Sequence, residues 1–119
     1  MADVKSFNIE RKRWYRGRGG DGSALLRDDG QMCCLGFYAL ARGLTPDQIE
    51  NVADPSEVAG DGLTRWPAWM MEDLDRRVQS AYTEALIDVN DDPGLNERER
   101  ESAIRKMFAS NGVRVRFTE

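Results

Sequence analysis

The chain contains no histidine, and its two cysteines, Cys33 and Cys34, are adjacent. Neighbouring cysteines cannot link distant parts of a fold, and in a protein that is not exported they are expected to be reduced. Without histidine the chain cannot form a zinc site of Cys and His ligands, a Ser-His-Asp triad or a Cys-His pair. We therefore assign no catalytic residue, no metal ligand and no cofactor, and the sequence favours a protein that is not an enzyme.

Long apolar runs are also missing. No stretch approaches the roughly 20 residues that cross a membrane. The polar start, Met-Ala-Asp-Val-Lys, lacks the hydrophobic segment of a secretion signal. We therefore expect a cytoplasmic protein with no membrane partner. A net charge of −4 argues against nucleic acid as the main partner.

The 119 residues have room for one domain, and 40% apolar and 32% charged residues are ordinary for a folded globule. The charges are unevenly spread, with a basic region near the N-terminus. Between Asp47 and Asp92 twelve acidic residues face only three arginines. Internal salt bridges would explain this distribution, and so would two faces for different partners.

The longest apolar run extends from Cys33 to Leu44, and we expect the chain to be organised around it. It predicts a helix from about Cys34 to Arg42 that is buried on most sides. Gly43 is placed to end this helix in a left-handed conformation. Gly36, in the first turn, has no side chain and would let another part of the backbone come close.

Two amphipathic helices are predicted in the second half of the chain. The first runs from about Met71 to Val89, with Leu74 and Val78 on its buried face. The second begins after Asn96, which is placed to cap it together with a glutamate three residues later.

Short strands are predicted at residues 6–10 and 113–117, where apolar and polar residues alternate. Residues 23–34 resemble a hairpin with an Asp-Gly turn. The predicted fold is thus a single small α+β domain spanning residues 1–119. In it a buried central helix and two amphipathic helices pack on a small antiparallel sheet formed by the termini and the hairpin.

The first candidate site is a basic, aromatic and glycine-rich segment from Arg11 to Gly22. Guanidinium groups, exposed glycine amides and an aromatic face are the groups that a phosphate or nucleotide site needs. The spacing matches neither a P-loop nor a dinucleotide-binding fingerprint. Pairing of these arginines with the protein's own acids would explain the same residues. The candidate ligand-binding residues are Trp14, Arg16, Arg18, Gly19 and Gly20.

The second candidate site is the segment Trp66-Pro67-Ala68-Trp69-Met70-Met71. Tryptophan and methionine are common anchors of protein–protein interfaces, so Trp66, Trp69 and Met70 are candidate partner-binding residues. The same side chains could instead form a lid over the core.

Two further patterns have simpler explanations. The cysteine pair beside a helix start could be nucleophilic, but free cysteines are usually buried. Residues from Asp88 to Glu99 follow the spacing of a calcium-binding EF-hand loop, yet Pro93 stands where the loop needs glycine. We therefore predict core packing for the cysteines and helix capping, without a metal, for the loop.

The chain resembles a widespread group of small hypothetical proteins encoded by tailed bacteriophages and prophages. The resemblance covers nearly the whole chain and lies in Trp14-Tyr15-Arg16-Gly17, Ser23-x-Leu25-Leu26, Asp29-Gly30-x-Met32-Cys33-Cys34-Leu35-Gly36 and Asn90-Asp91-Asp92. It supplies no catalytic or binding residues. It implies an accessory protein made in the cytoplasm of an infected bacterium, and small phage proteins of this kind often act by occupying a host protein.

Two functions follow from these observations. The first is a non-catalytic protein that binds a host protein, for example to inhibit an antiviral defence system. The second is a binder, or less readily an enzyme, of a small phosphate-bearing or nucleotide ligand at the N-terminal segment. Buried Trp66 and Trp69 beside an open arginine-lined pocket would favour the ligand, and the reverse exposure would favour the partner.

Overall fold

A computed structural model of the chain describes residues 4–16, 24–58 and 60–119. The α+β fold predicted from the sequence is confirmed. The helices are α1 (Cys34–Ala41), α2 (Pro46–Ile49), α3 (Ala81–Asp91) and α4 (Glu97–Ala109). The strands are β1 (Ser6–Glu10), β2 (Met71–Asp73), β3 (Val78–Gln79) and β4 (Arg114–Thr118). Short 3-10 turns cover Arg11–Arg13, Pro55–Glu57, Gly60–Arg65 and Ala68–Met70.

Helix α1 is the centre of the core, as predicted. Its residues from Cys34 to Ala39 are all buried. Gly43 adopts a positive φ of 94°, and the Leu44 N–H donates to the Ala39 carbonyl at 3.0 Å, which is the predicted helix ending. A Cβ atom on Gly36 would lie only 1.8 Å from the Leu25 carbonyl oxygen. The first turn of α1 therefore packs directly against the backbone of another segment.

The terminal strands pair, but in the parallel direction. Ser6 lies opposite Arg114 and Glu10 opposite Thr118, so the C-terminus lies at the end of β1 farther from the N-terminus. The expectation that the terminal strands belong to an antiparallel sheet was wrong. Alternation of apolar and polar residues predicts which face of a strand is buried, but it is the same for either strand direction.

The predicted helix from Met71 to Val89 is present only in its second half. Residues 71–79 form the antiparallel β2–β3 hairpin, in which Arg77 has a left-handed φ of 57°. Ser80 then caps α3, with its hydroxyl accepting from the Thr83 N–H at 3.1 Å. Leu74 and Val78 are 47% and 41% exposed, so their helix-like spacing does not mark a buried face.

The predicted hairpin at residues 23–34 is a tight turn whose described flanks do not form paired strands. The Arg27 N–H donates to the Gln31 carbonyl at 2.8 Å, and Gly30 has a positive φ, so the Asp-Gly turn is confirmed. The flanking residues make isolated bridges elsewhere: Leu26 with Glu50, and Met32 with Trp14. One backbone hydrogen bond joins the two flanks, from the Cys33 N–H to the Ala24 carbonyl at 3.3 Å, so the segments are held mainly by contacts with other parts of the chain.

Helix α4 begins where its capping signal predicts. The Asn96 side chain accepts from the Glu99 N–H at 2.8 Å, and the Glu99 carboxylate accepts from the Asn96 N–H at 3.0 Å. Ile104 and Phe108 are fully buried, and the Phe108 ring lies edge-on to Phe7 at 5.0 Å between ring centroids. No helix among the described residues is both long and apolar enough to span a membrane.

Candidate functional site

A groove of about 580 Å³ lies beside β4 and the C-terminal half of α4. We call it the basic groove, because its cationic residues are Lys5, Arg105, Arg114 and Arg116. Its other lining residues are small or apolar: Ser6, Ala109, Gly112, Val113 and Val115. Among the residues that the structure describes, no carboxylate lines it. The volume is in the range of protein sites for small molecules or for short peptide segments.

The alternation of β4 positions two of these cations. Val113 and Val115 are each only 4% exposed, so they anchor the strand to the core. Arg114 and Arg116 occupy the intervening positions and are exposed. Because side chains alternate across a strand, both guanidinium groups lie on the same solvent-facing side of the sheet.

Three cations of the basic groove lack a carboxylate partner in the part of the chain that the structure describes: Lys5, Arg114 and Arg116. Elsewhere several arginines pair with the protein's own carboxylates, for example Arg100 with Glu97 at 2.8 Å. Cations that are not neutralised by the protein itself can attract an anionic ligand at little cost. The groove therefore stands out within a protein of net charge −4.

Arg105 is held more firmly than the other three cations. Its guanidinium carbon lies 4.9 Å from the centroid of the Phe117 ring, and its Nη2 atom lies 3.4 Å from the Glu101 carboxylate. The side chain still remains 48% exposed. Stacking on an aromatic ring fixes the plane of the guanidinium group, so this cation is oriented before any ligand arrives.

Glu101 links α4 to the N-terminal segment. Its two carboxylate oxygens accept from Arg11 Nε and Nη2 at 2.8 and 2.9 Å, a paired geometry that strengthens an ion pair. The hydrogen bond from Arg11 is the main reason that the pKa of Glu101 lies below its ordinary value. The same bond raises the pKa of Arg11.

We expect Glu101→Gln to lower the melting temperature at neutral pH, because the amide loses its attraction for Arg11 and Arg105. The native pKa of Glu101 is lower than that of the unfolded chain, which is about 4.3. The charge therefore stabilises the fold fully above that pH, and this contribution is lost as the pH falls through the native pKa. Thermal unfolding of both proteins across the acidic range should show a difference that shrinks with acid. A difference independent of pH would contradict this assignment.

The predicted ligand-binding segment is only partly described. Trp14 is 2% exposed, and its ring lies between Phe117, at 4.9 Å, and the Arg16 guanidinium, at 4.3 Å. Arg16 also forms an ion pair with Glu97. Trp14 is therefore a core residue covered by Arg16, with no exposed face for stacking on a ligand. Arg18, Gly19 and Gly20 lie outside the described residues, and ligand binding there stays a prediction.

The sequence predicted only helix capping for the segment from Asp88 to Glu99, but Asn90 in this segment lies in the core. It is fully buried, and its Oδ1 atom accepts from Trp14 Nε1 at 2.8 Å and from the Cys34 N–H at 3.1 Å. Its Nδ2 atom donates to the Tyr15 carbonyl at 3.0 Å and to Asp91 at 2.9 Å. Asn90 thus caps the start of α1 from another helix and joins three of the four segments that carry the sequence resemblance.

These bonds leave the Asn90 side chain with no oxygen lone pair directed toward a cation. In the described parts of the chain, no group of three or more acidic or cysteine side chains is arranged to hold a metal ion. Asp92 instead accepts from the Gly94 N–H at 2.8 Å, as an ordinary turn residue does. The spacing from Asp88 to Glu99 is accounted for by helix ends and a turn.

The three predicted partner-binding residues pack against the core. Trp66 is 5% exposed and its Nε1 atom donates to the Pro55 carbonyl at 3.0 Å, while Met70 is fully buried. Trp69 is half-buried, with its ring 5.7 Å from Tyr82 and 6.0 Å from Tyr38. The arrangement matches the alternative that we considered, a lid over the core. Partner binding by this segment stays a prediction, with Trp69 the only one of the three that is partly exposed.

Both cysteines are buried, and burial raises the pKa of Cys33 to about 12. The pKa of Cys34 is raised for the same reason. A thiol with so high a pKa remains protonated at neutral pH and is a poor nucleophile. The packing role predicted for the pair agrees with this burial.

Comparison of the chain with protein-family models, with curated proteins and with solved structures finds no match. The basic groove must therefore be interpreted from its own geometry. Sequence reasoning missed it because Lys5 lies far along the chain from Arg114 and Arg116. The available signal was the Arg-Val-Arg alternation of β4, which was interpreted only as the exposed face of a strand.

Proposed function

We propose that the chain is a non-catalytic binding protein that attaches to another protein, and that the basic groove is its contact surface. The observation that carries this proposal is the set of exposed cations, Lys5, Arg114 and Arg116, around a cavity that no carboxylate of the described residues lines. A complementary acidic segment of a partner would neutralise them and gain orientation from the fixed Arg105.

The context proposed for this activity comes from the resemblance to phage and prophage proteins. In that setting the partner is a host protein, for example a component of an antiviral defence system, and the site of action is the host cytoplasm. The support for this part is the shared sequence elements, three of which meet at Asn90. The groove supplies the chemistry of the contact and does not identify the host protein.

A small phosphate-bearing or nucleotide ligand is the second candidate, because the basic groove also favours it. Guanidinium groups bind phosphate oxygens in a forked geometry, and the groove is large enough for a nucleotide. In this case the ligand would bind beside β4. This site would either accompany or replace the predicted binding site at the N-terminal segment with Arg16 and Arg18.

Charge reversal of the groove tests the first candidate. We expect the tagged wild-type protein to co-purify one host protein stoichiometrically from a bacterial lysate, and Arg114→Glu with Arg116→Glu to reduce that capture about tenfold or more. The matched control is Arg13→Glu with Arg76→Glu, which changes the charge equally at exposed positions outside the groove. No stoichiometric partner, or equal capture by both double variants, would contradict the proposal.

Thermal shift against a panel of nucleotides and inorganic phosphates tests the second candidate. A ligand that binds the native state raises the melting temperature in a concentration-dependent way. The groove variant should abolish that rise if the ligand lies beside β4, and Arg16→Ala or Arg18→Ala should abolish it if the N-terminal segment binds. A melting curve that no compound moves would eliminate the second candidate.

A further inference from the structure

We infer that the partner segment is an extended acidic peptide that adds to the outer edge of β4 as a new strand. The outer edge is the side of β4 that faces away from β1. This inference rests on the proposed function, since it describes how a partner protein would occupy the basic groove. It specifies the shape and backbone contacts of that partner, which charge alone does not.

The register of the parallel pair shows which backbone groups face outward. The Arg114 N–H donates to the Lys5 carbonyl at 2.8 Å. In a parallel ladder such a residue directs both its N–H and its carbonyl toward the same neighbouring strand, and alternate residues do so. Arg114 and Arg116 therefore bond to β1, and the amide and carbonyl of Val115 point to the outer edge.

The outer edge of β4 is not used by another strand in the described part of the chain, where β4 pairs with β1 only. The basic groove includes this edge, since Val113 and Val115 are among its lining residues. The Val113 N–H already donates to the Phe108 carbonyl at 3.0 Å, so Val115 supplies the outward-directed amide and carbonyl in this part of the edge. A strand edge that no other strand uses is a template for an added strand.

Charge complementarity defines the side chains of the added strand. Arg114 and Arg116 are two residues apart, which is the repeat of side chains on one face of any strand. An acidic residue at every second position of the peptide would therefore meet both arginines in register. Opposite charges placed directly across neighbouring strands stabilise the pairing. Lys5 and Arg105 add positive charge to the same groove.

A second copy of this chain fits the same edge poorly. Two β4 strands paired antiparallel about Val115 would bring Arg114 of one copy opposite Arg116 of the other. A parallel pair would also place arginines close to arginines. Like charges directly opposite each other destabilise strand pairing. The charge pattern of the edge therefore selects a partner of opposite charge over self-association.

The test uses a labelled ten-residue peptide of alternating glutamate and valine, with binding to the full chain followed by fluorescence anisotropy. Its control is the same peptide with every backbone nitrogen methylated, which keeps the charges and removes the N–H donors. We expect saturable binding of the first peptide and binding at least about tenfold weaker for the second, because several backbone hydrogen bonds are lost. Arg114→Glu with Arg116→Glu should weaken binding of the first peptide to a similar degree.

A protein variant provides an independent measurement. Val115→Pro removes one N–H on the outer edge and leaves the β1 ladder bonds in place, so it should weaken the unmethylated peptide about tenfold while the fold, followed by circular dichroism, is retained. If Val115→Pro does not fold, the comparison of the two peptides decides the question alone.

The possible outcomes distinguish a failure of strand addition from a failure of the proposed function. Equal binding of both peptides, with loss in the arginine variant, would overturn strand addition and leave the groove as a charge-based contact. Equal affinity for inorganic polyphosphate would overturn strand addition in favour of the phosphate ligand. A concentration-dependent dimer abolished by Val115→Pro would overturn it in favour of self-association. Failure of the proposed function itself would appear in the lysate experiment, as capture that does not depend on the groove.

Discussion

Replacing Gly36 by alanine should destabilise the native state by at least about 3 kcal/mol, measured by urea unfolding. A Cβ atom at this position would lie 1.8 Å from the Leu25 carbonyl oxygen and 2.9 Å from the Met32 Cβ atom. The clash is with backbone, which cannot rotate away as a flexible side chain can. The first turn of α1 and the segment around Leu25 would have to separate, and both are in the core.

Gly112→Ala is the control for this experiment. Gly112 has a positive φ of 79°, but a Cβ atom added to it would meet no other atom within 4 Å, so the substitution adds conformational strain without a clash. A left-handed conformation costs an alanine about 1 to 2 kcal/mol. A loss for Gly36→Ala no larger than that for Gly112→Ala would show that α1 does not pack as closely as the structure indicates.

Asn90→Leu should cost about 4 kcal/mol, because it removes a buried side chain that joins Trp14, Tyr15 and Cys34 by hydrogen bonds. Leucine is branched at the same atom as asparagine and is not smaller, so the main effect is the loss of hydrogen-bond partners and not a cavity. Each buried donor or acceptor left without a partner costs about 1 to 3 kcal/mol. Urea unfolding measures the loss, and a red shift of tryptophan fluorescence would report that Trp14 has become exposed to solvent.

Asn96→Ala provides the comparison for Asn90→Leu. Asn96 also caps a helix, but it is exposed and bonds only within its own first turn. Loss of such a cap costs about 1 kcal/mol. If the two substitutions were equally destabilising, Asn90 would be an ordinary helix residue and would not organise the core.

The features predicted correctly from the sequence are those that local interactions determine. The boundaries of α1, the glycine that ends it and the capping of α4 by Asn96 all depend on neighbouring residues. The close approach at Gly36 was also expected, although its partner, Leu25, was not. In each case the residue type has one dominant physical reason for its position.

The errors concern features that distant contacts decide. The segment from Met71 to Gln79 forms a hairpin because Ser80 starts the helix later and Arg77 turns the chain, which the spacing of Leu74 and Val78 does not reveal. The parallel direction of β1 and β4 likewise follows from the tertiary fold.

The candidate site depends on the same tertiary information. Lys5 and Arg114 are adjacent only because β1 and β4 run in parallel, with the Arg114 amide bonded to the Lys5 carbonyl. Arg105, from α4, lines the same groove with its guanidinium over the Phe117 ring. The sequence showed the cations but not their grouping, and it directed attention to Trp14, which the fold buries.

The most direct test of the basic groove as the contact surface is a nuclear magnetic resonance titration of the isotope-labelled protein with the glutamate–valine peptide. The account predicts saturable shift changes confined to residues 5–6, 105–109 and 112–116, with the Val115 amide protected from solvent exchange on binding. Changes centred on Trp66 to Met70 or on Trp14 to Arg16, with β4 unaffected, would contradict it.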